Sequence, residues 1–362
     1  MYAESLQLGN FRNYERLDLE LSPGVNLIYG ENAQGKTNIL EAVYLLGTAR
    51  SYRRSKDAEM IRFGCQEAHL RMKVIRGGAD SKIDMHLKKA GGKGAAVNGL
   101  PIRRTSELFD AVQLVFFAPE DLSIVKRGPS ERRRFADSVL CSTSGIYLKD
   151  LTEYVKCLNQ RNSLLGEISF KPSLADTLSV WDEQLSRLGR RVMEKRGEFT
   201  SEMSSLAADV HERLTGGREK LQIAYEPDAD AASFSEMIFA MHERDIRRKH
   251  TGTGPHRDDW AIKVNGTDLR TYGSQGQQRT AALSLKLAEI EYIERIRGVR
   301  PILLLDDVFS ELDAGRQGCL VDALKGTQTL ITTTGLDEIK AKEFAADRIF
   351  RVESGEVREI KA

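Results

Sequence analysis

The chain has 362 residues, of which 41% are apolar and 30% charged, with a formal net charge of +1. That length can bury two ordinary domains, no apolar window approaches the length of a membrane helix, and the near-zero charge leaves any nucleic-acid role to local basic patches. Cys65, Cys141, Cys157 and Cys319 lack C-x-x-C spacing and the six histidines lack ligand spacing, so reduced thiols, a cytoplasmic setting and no histidine metal site are expected. The first residues show no basic stretch followed by an apolar one, so nothing points to export.

Residues 1 to about 120 read as short strands and turns. Val25–Tyr29 is a predicted strand. It runs into Gly30-Glu31-Asn32-Ala33-Gln34-Gly35-Lys36-Thr37, which fits G-x-x-x-x-G-K-[ST]. Ile39, Leu40, Val43 and Leu46 then share one face of a helix. An ordinary Gly-rich turn is the bland reading, but strand, loop and helix are the context that a phosphate cradle needs. The loop N–H groups and the helix N-terminus surround the phosphates of ATP, Lys36 reaches the β- and γ-phosphates, and Thr37 ligates Mg²⁺. Gln113–Phe117 is the next buried strand.

From about 125 to 245 the rhythm is helical. Leu178, Leu185, Leu188, Val192, Phe199, Met203, Leu206, Val210 and Leu214 form one apolar stripe, and Leu151, Leu158 and Leu165 belong to a shorter partner, with a turn between Gly166 and Pro172. An antiparallel helical pair is expected, the longer helix reaching roughly 60 Å at most. Arg132-Arg133-Arg134, Arg190-Arg191, Lys195-Arg196 and Arg247-Arg248-Lys249 are candidate phosphate-backbone contacts, with a solvated helix face as the alternative. Tyr2, Tyr14, Trp181 and Trp260 do not interleave with these clusters, so backbone-directed duplex contact is expected rather than base stacking.

After about 250 the strand-and-helix rhythm returns. His256-Arg257-Asp258 reads as a structural ion-pair and hydrogen-bond cluster. Tyr272-Gly273-Ser274-Gln275-Gly276-Gln277 opens an apolar helix. It offers a second phosphate receiver, or else simply a helix cap. Pro301–Leu305 is a buried strand ending in Asp306-Asp307. Carboxylates there are costly unless paired. A magnesium ion shared with Thr37 pairs Asp306, and Asp307 is placed to align or deprotonate an attacking water.

Order and content together resemble the ABC-type ATPases, in which the serine loop of one subunit caps the γ-phosphate held by another. Ser310-Glu311-Leu312-Asp313 is similar to that class's D-loop, adding Asp313 to the expected nucleotide contacts alongside Ser274, Gly276 and Gln277. Gln113 is the candidate for the glutamine that senses the metal and joins head to arm, against a plain edge-strand role. The expected architecture is an α/β, ABC-type P-loop ATPase head at 1–124 and 246–362 with a helical lid or arm inserted at 125–245.

Asn10-Phe11-Arg12-Asn13-Tyr14, the loop from Gly30 to Ala42, Phe117–Asp137, Thr251–Asp259, the serine loop and Leu303–Asp313 resemble the RecF family of bacterial recombination mediators. The resemblance covers both α/β thirds, and the middle matches in length and helical character. It implies an SMC-like head, ATP and Mg²⁺ as cofactors, an ATP-dependent homodimer, and binding of double-stranded and gapped DNA. Weak, DNA-stimulated hydrolysis as a release step, and action with RecR and RecO to load RecA in repair and the SOS response, follow from it too. Arg12 and Asn13 would reach the nucleotide, unless they form a plain β-turn. Gly335 stands where the family pattern has Asp, leaving the γ-phosphate sensor between Thr333 and Thr334. An SMC-like clamp and the ATPase subunit of a membrane transporter share the three site elements. A helical insertion without a hinge or a compact docking domain argues against both.

Overall fold

The computed structural model describes residues 1–309, 312, 314–335 and 346–360. In the first stretch, β1 (Tyr2–Phe11) and β2 (Tyr14–Glu20) form a hairpin, and β3 (Val25–Tyr29) leads into α1 (Lys36–Thr48). Then follow β4 (Glu67–Arg76), β5 (Ala79–Lys88), β6 (Gly92–Val97), β7 (Leu100–Pro101), α2 (Ser106–Ala111) and β8 (Leu114–Phe117). The middle stretch holds α3 (Ser123–Lys126), α4 (Pro129–Thr143), α5 (Gly145–Ile168), α6 (Leu178–Thr215), β9 (Leu221–Glu226), α7 (Phe234–Ala240) and α8 (His242–Arg248). It continues through β10 (Asp259–Val264), β11 (Thr267–Asp268), α9 (Leu269–Tyr272) and α10 (Gln275–Arg297). The last stretch adds β12 (Ile302–Asp306), α11 (Ala314–Leu324), β13 (Thr329–Thr333), β14 (Arg348–Glu353) and β15 (Glu356–Ile360).

Two compact units result: a head of Met1–Asp121 with Glu289–Ala362, and an arm unit of Leu122–Ala288. In the head, an antiparallel sheet ordered β2-β1-β4-β5-β6-β7 accompanies a second sheet ordered β15-β14-β3-β13-β12-β8. The second sheet is parallel from β14 to β8, with β15 antiparallel at its edge. Alternating apolar residues such as Leu6, Leu70, Met72, Ile83 and Met85 from the first sheet share one core with Ile39, Leu40, Val43 and Leu46 of α1 and Leu304 and Leu330 of the second. Near-continuous burial of β12 and β13 is what a parallel strand covered on both faces requires.

In the arm unit, α5 and α6 run antiparallel, as Cys157 beside Trp181, Arg161 beside Asp182 and Asp150 beside Arg191 show. The 38 residues of α6 span about 57 Å at 1.5 Å per residue. A three-stranded sheet ordered β11-β10-β9 completes the unit. The expected boundary at 246 therefore falls inside this unit: β10 pairs with β9 from Asp259↔Glu226 to Val264↔Leu221, which ties residues beyond 246 to the helical segment. Among the described residues no helix is long and apolar enough to cross a membrane.

Candidate functional site

In the central sheet β13 lies between β3 and β12, so the chain leaves β3 and β12 at the same, carboxyl edge, where parallel α/β sheets place ligands. The Gly30–Thr37 loop and Asp306-Asp307 are thereby neighbours despite their separation in sequence. Thr37 Oγ1 donates to Asp306 Oδ1 at 2.8 Å, and Thr332 Oγ1 donates to the same oxygen at 2.7 Å. Tyr52 Oη donates to Asp306 Oδ2 at 3.2 Å and stacks on Phe116 with ring centroids 3.9 Å apart. Asp306 is thus held by three hydroxyls, one of them the threonine at the start of α1.

Lys36 curls back over its own loop, donating to the carbonyls of Gly30 at 2.6 Å and Glu31 at 2.7 Å. Burial lowers its pKa, while Asp307 and then Asp306 pull it the other way. The amine and both acids therefore share one electrostatic environment. Asp307 adopts a left-handed backbone (φ 51°), and its N–H donates to Thr332 through both the carbonyl and the hydroxyl. That conformation costs a non-glycine residue of order 1 kcal/mol, strain that clusters at functional turns.

The loop is braced from behind by two β-turns. Asn13 Nδ2 donates to the Gln34 carbonyl at 2.8 Å, Tyr14 Oη to that of Gly35 at 3.0 Å, and Asn38 Nδ2 to Asn13 Oδ1 at 2.8 Å. From the β14–β15 turn, the Ser354 N–H donates to Gln34 Oε1 at 2.6 Å. Two glycines are required by this fit. At Gly35 (φ 117°) a Cβ would sit 2.4 Å from Asn13 Nδ2, and at Gly30 (φ 157°) 2.3 Å from the Val352 carbonyl oxygen.

Other expected site residues behave differently. Arg12 lies near the loop but is committed to Glu41, through Nε and Nη2 at 2.8 Å each, and to Ser55 and the Glu59 carbonyl. Gln113 is a correction. It precedes β8, whose register with β12 pairs Leu114 with Ile302 and Phe117 with Leu305, so Gln113 lies at the strand end opposite the Asp306 edge. It is buried there, with Nε2 donating to the Phe109 carbonyl. Asp313 lies outside the described residues, as do Ser310 and Glu311. Thr333 Oγ1 donates to the Gly335 carbonyl at 3.3 Å; the threonine touching the acid pair is Thr332, which the sequence reading passed over. Tyr52 was also missed. Thr332 was detectable as the strand-end hydroxyl beside β12, whereas nothing in the local sequence marks Tyr52.

In the arm unit, Ser274 and Gln277 form a reciprocal capping box at the start of α10. The Ser274 N–H donates to Gln277 Oε1 at 3.0 Å and the Gln277 N–H to Ser274 Oγ at 3.2 Å. Gly276 follows within the first turn, where its carbonyl accepts from Thr280 Oγ1 at 2.8 Å. Ser274 is exposed, leaving an accessible helix N-terminus. His256 and Asp258 belong to an internal network, as expected. Asp258 accepts from Arg196 at 2.8 Å, from the Tyr225 hydroxyl and from the Asp228 N–H.

The basic clusters divide. Arg132 is a correction: it is 4% exposed, forms a bidentate pair with Asp259 at 2.6 and 2.9 Å, and also donates to the Arg127 carbonyl. Its guanidinium is committed to the protein interior. Arg196 is likewise buried, between Asp137 and Asp258. Arg133 is half-buried and donates to the Asp258 carbonyl at 2.6 Å, and Arg134 pairs with Glu131 at 2.6 Å. Arg190 and Arg191 are exposed, with Glu194 and Asp150 as neighbours.

A G-x-x-x-x-G-K-T loop beside a strand-end acid pair, on a parallel sheet with an inserted helical unit, defines the ABC-type P-loop ATPase head in its SMC-like form. The Smc head domain of Pyrococcus furiosus shares this fold at 17% identity, TM-score 0.57, over 99% of this chain and 96% of that one. The family model described as RecF/RecN/SMC N terminal domain matches residues 2–358. The DNA replication and repair protein RecF of Lachnoclostridium phytofermentans is 53% identical over 357 residues, 99% of each chain. A solved recombination mediator RecF with ATP, of the RecFOR pathway, superposes with TM-score 0.93 at 36% identity, covering 99% of this chain and 98% of that one. The chain belongs to the RecF family.

Proposed function

We propose that this protein is an ATP-gated DNA-binding ATPase of replication-gap and recombinational repair. The observation that carries the reading is the convergence of Lys36 and Thr37 with Asp306 and Asp307, because that set suits Mg·ATP. Lys36 would exchange two loop carbonyls for β- and γ-phosphate oxygens, and Gly30–Gly35, with Glu31, Asn32, Ala33 and Gln34 between them, would supply backbone donors. Thr37 and Asp306 present hard oxygen ligands, suited to Mg²⁺ rather than to a soft cation. The ion would neutralise developing phosphate charge, and Asp307 would orient or deprotonate the water. Asn13 acts by holding the loop. Asp313 is retained as a nucleotide contact from the resemblance.

The head holds one phosphate receiver and the arm unit another, at Ser274, Gly276 and Gln277. Two-fold symmetry would turn one half-site of each kind per chain into two complete sites, the logic of an ATP-dependent homodimer. Slow, DNA-stimulated hydrolysis would then reopen it. Double-stranded or gapped DNA is the expected ligand, with Arg190 and Arg191 as candidate phosphate contacts. RecR and RecO, acting on RecA in the cytoplasm, are the expected partners, as the RecFOR title of the solved relative suggests.

Sedimentation with and without Mg·ATP and duplex DNA tests this reading. Wild-type protein should shift from monomer to dimer on Mg·ATP. Ser274→Arg should keep ATP binding yet stay monomeric, because the longer side chain fills the space of a partner's γ-phosphate. Normal dimerisation of Ser274→Arg would refute the shared site.

A further inference from the structure

We infer that Glu67, His69 and His86 form a binding site for a divalent transition-metal ion on the solvent face of the head's antiparallel sheet. Strands β4 and β5 pair in the register His69↔His86, with Glu67 two residues before His69 on the same face. The alternate residues Ala68, Leu70, Met85 and Leu87 enter the core, so the three polar side chains point outward together. The imidazole rings stack with centroids 4.0 Å apart and planes 18° from parallel. One carboxylate serves both: Glu67 Oε2 lies 3.0 Å from His86 Nε2, and Oε1 lies 3.6 Å from His69 Nε2. One ligand atom from each residue falls within 4.8 Å of the other two.

The flanks of the pair point the same way. Across the sheet the row reads Gly9, His69, His86, Gly94, because Gly9 faces His69 on β1 and Gly94 faces His86 on β6. Neither glycine has a side chain to cover the imidazole directly opposite it, which leaves room for an ion and its waters. The nearest cation along the face, Arg71, is paired with Asp84. Lys88 lies opposite Glu67, and Arg16, beyond Gly9 in the same row, is paired with Asp18.

Two imidazoles and one carboxylate form a donor set for Zn²⁺, Co²⁺, Ni²⁺ or Cu²⁺ rather than for Mg²⁺ or Ca²⁺. Bonds of about 2.0–2.2 Å require the donors to draw closer together, which the exposed Glu67 and His69 and the half-buried His86 can do by small rotations. Three protein ligands leave at least one position for water. Neither the family's nucleotide chemistry nor the Thr37–Asp306 pair is involved, so the inference stands apart from the proposed function.

The test is a Zn²⁺ titration of the full chain, nucleotide-free, followed by calorimetry, with Cu²⁺ and electron paramagnetic resonance as a second probe. Wild-type protein should take one tightly bound Zn²⁺ that excess Mg²⁺ does not displace, and the Cu²⁺ spectrum should show two nitrogen ligands. His69→Gln, His86→Gln and Glu67→Gln should each weaken binding by more than about tenfold, since loss even of a supporting hydrogen bond costs 10–100-fold at such sites. Each histidine variant should drop the nitrogen count to one. Asp306→Asn and Cys65→Ser should leave the tight site unchanged, separating it from the nucleotide-side acid and from the nearby thiol. Unaltered Zn²⁺ affinity in both histidine variants, with unchanged circular dichroism, would overturn the assignment. So would a copper signal with fewer than two nitrogens in the wild type.

Discussion

The head and the arm unit use charge in opposite ways. In the head, an apolar core supports a sheet edge where Lys36 is held by two loop carbonyls and Asp306 by three hydroxyls, contacts that a ligand can replace. In the arm unit, charge lies inside. Arg161 is fully buried between Asp182 and Asp245, at 2.7 and 2.8 Å, and Arg196 between Asp137 and Asp258. Trp260 Nε1 donates to Thr200 Oγ1 at 2.6 Å, and His211 Nδ1 meets Ser284 Oγ at 2.9 Å. A helix as long as α6 is thus registered against its neighbours by polar contacts of fixed geometry. The lesson is that a charged cluster in this protein signals a ligand only where its partners are replaceable.

The largest expected effect breaks the arm network. Arg196→Met should destabilise the protein by about 3–5 kcal/mol in urea unfolding, because Asp137 and Asp258 are left charged and poorly solvated. Adding Asp137→Asn and Asp258→Asn should recover part of that loss, which a simple packing defect would not allow. The exposed Arg190→Ala should change stability by less than about 0.5 kcal/mol. Next in size, Lys36→Met should weaken binding of a fluorescent ATP analogue about 100-fold, equivalent to about 3 kcal/mol of charge-assisted hydrogen bonding, with the fold intact. Equal damage to fold and binding would erase the contrast between the units.

The smallest effect is one of pH. His256 Nδ1 lies 2.7 Å from the Tyr154 hydroxyl and Nε2 3.3 Å from the Thr251 carbonyl, which suits the neutral ring protonated at Nε2. Its pKa is lowered, chiefly by burial and further by Arg257 and Arg133, against the Thr251 carbonyl and Asp228. Because the folded state disfavours the proton, this stabilisation is complete above the unfolded value of about 6.5 and is lost as pH falls through that value toward the folded one. His256→Gln should flatten the unfolding free energy over that window. A slope that survives unchanged would place the titration elsewhere.

Much of the head was legible because its chemistry is local. The Gly30–Thr37 loop, its entering strand and its following helix lie in one short stretch, and Pro301–Asp307 carries both a buried strand and its acids. The capping pair Ser274 and Gln277 is legible for the same reason. Arg132 and Gln113 misled because their environments are set from afar. The acid that takes up Arg132 is Asp259, and the end of the sheet on which Gln113 falls follows from the register of β8 with β12. An arginine run on a helix looks the same whether its partner is a phosphate or an aspartate far along the chain.

Sequence alone determined the P-loop head, the long antiparallel arm and the helix start at Ser274, since hydrophobic period and turn chemistry act over a few residues. Only the tertiary structure decided which charges are internal, that Thr332 and Tyr52 hold Asp306, and that His69 meets His86. Strand register and helix packing join residues by position in space, and in this chain those joins cross tens to hundreds of residues.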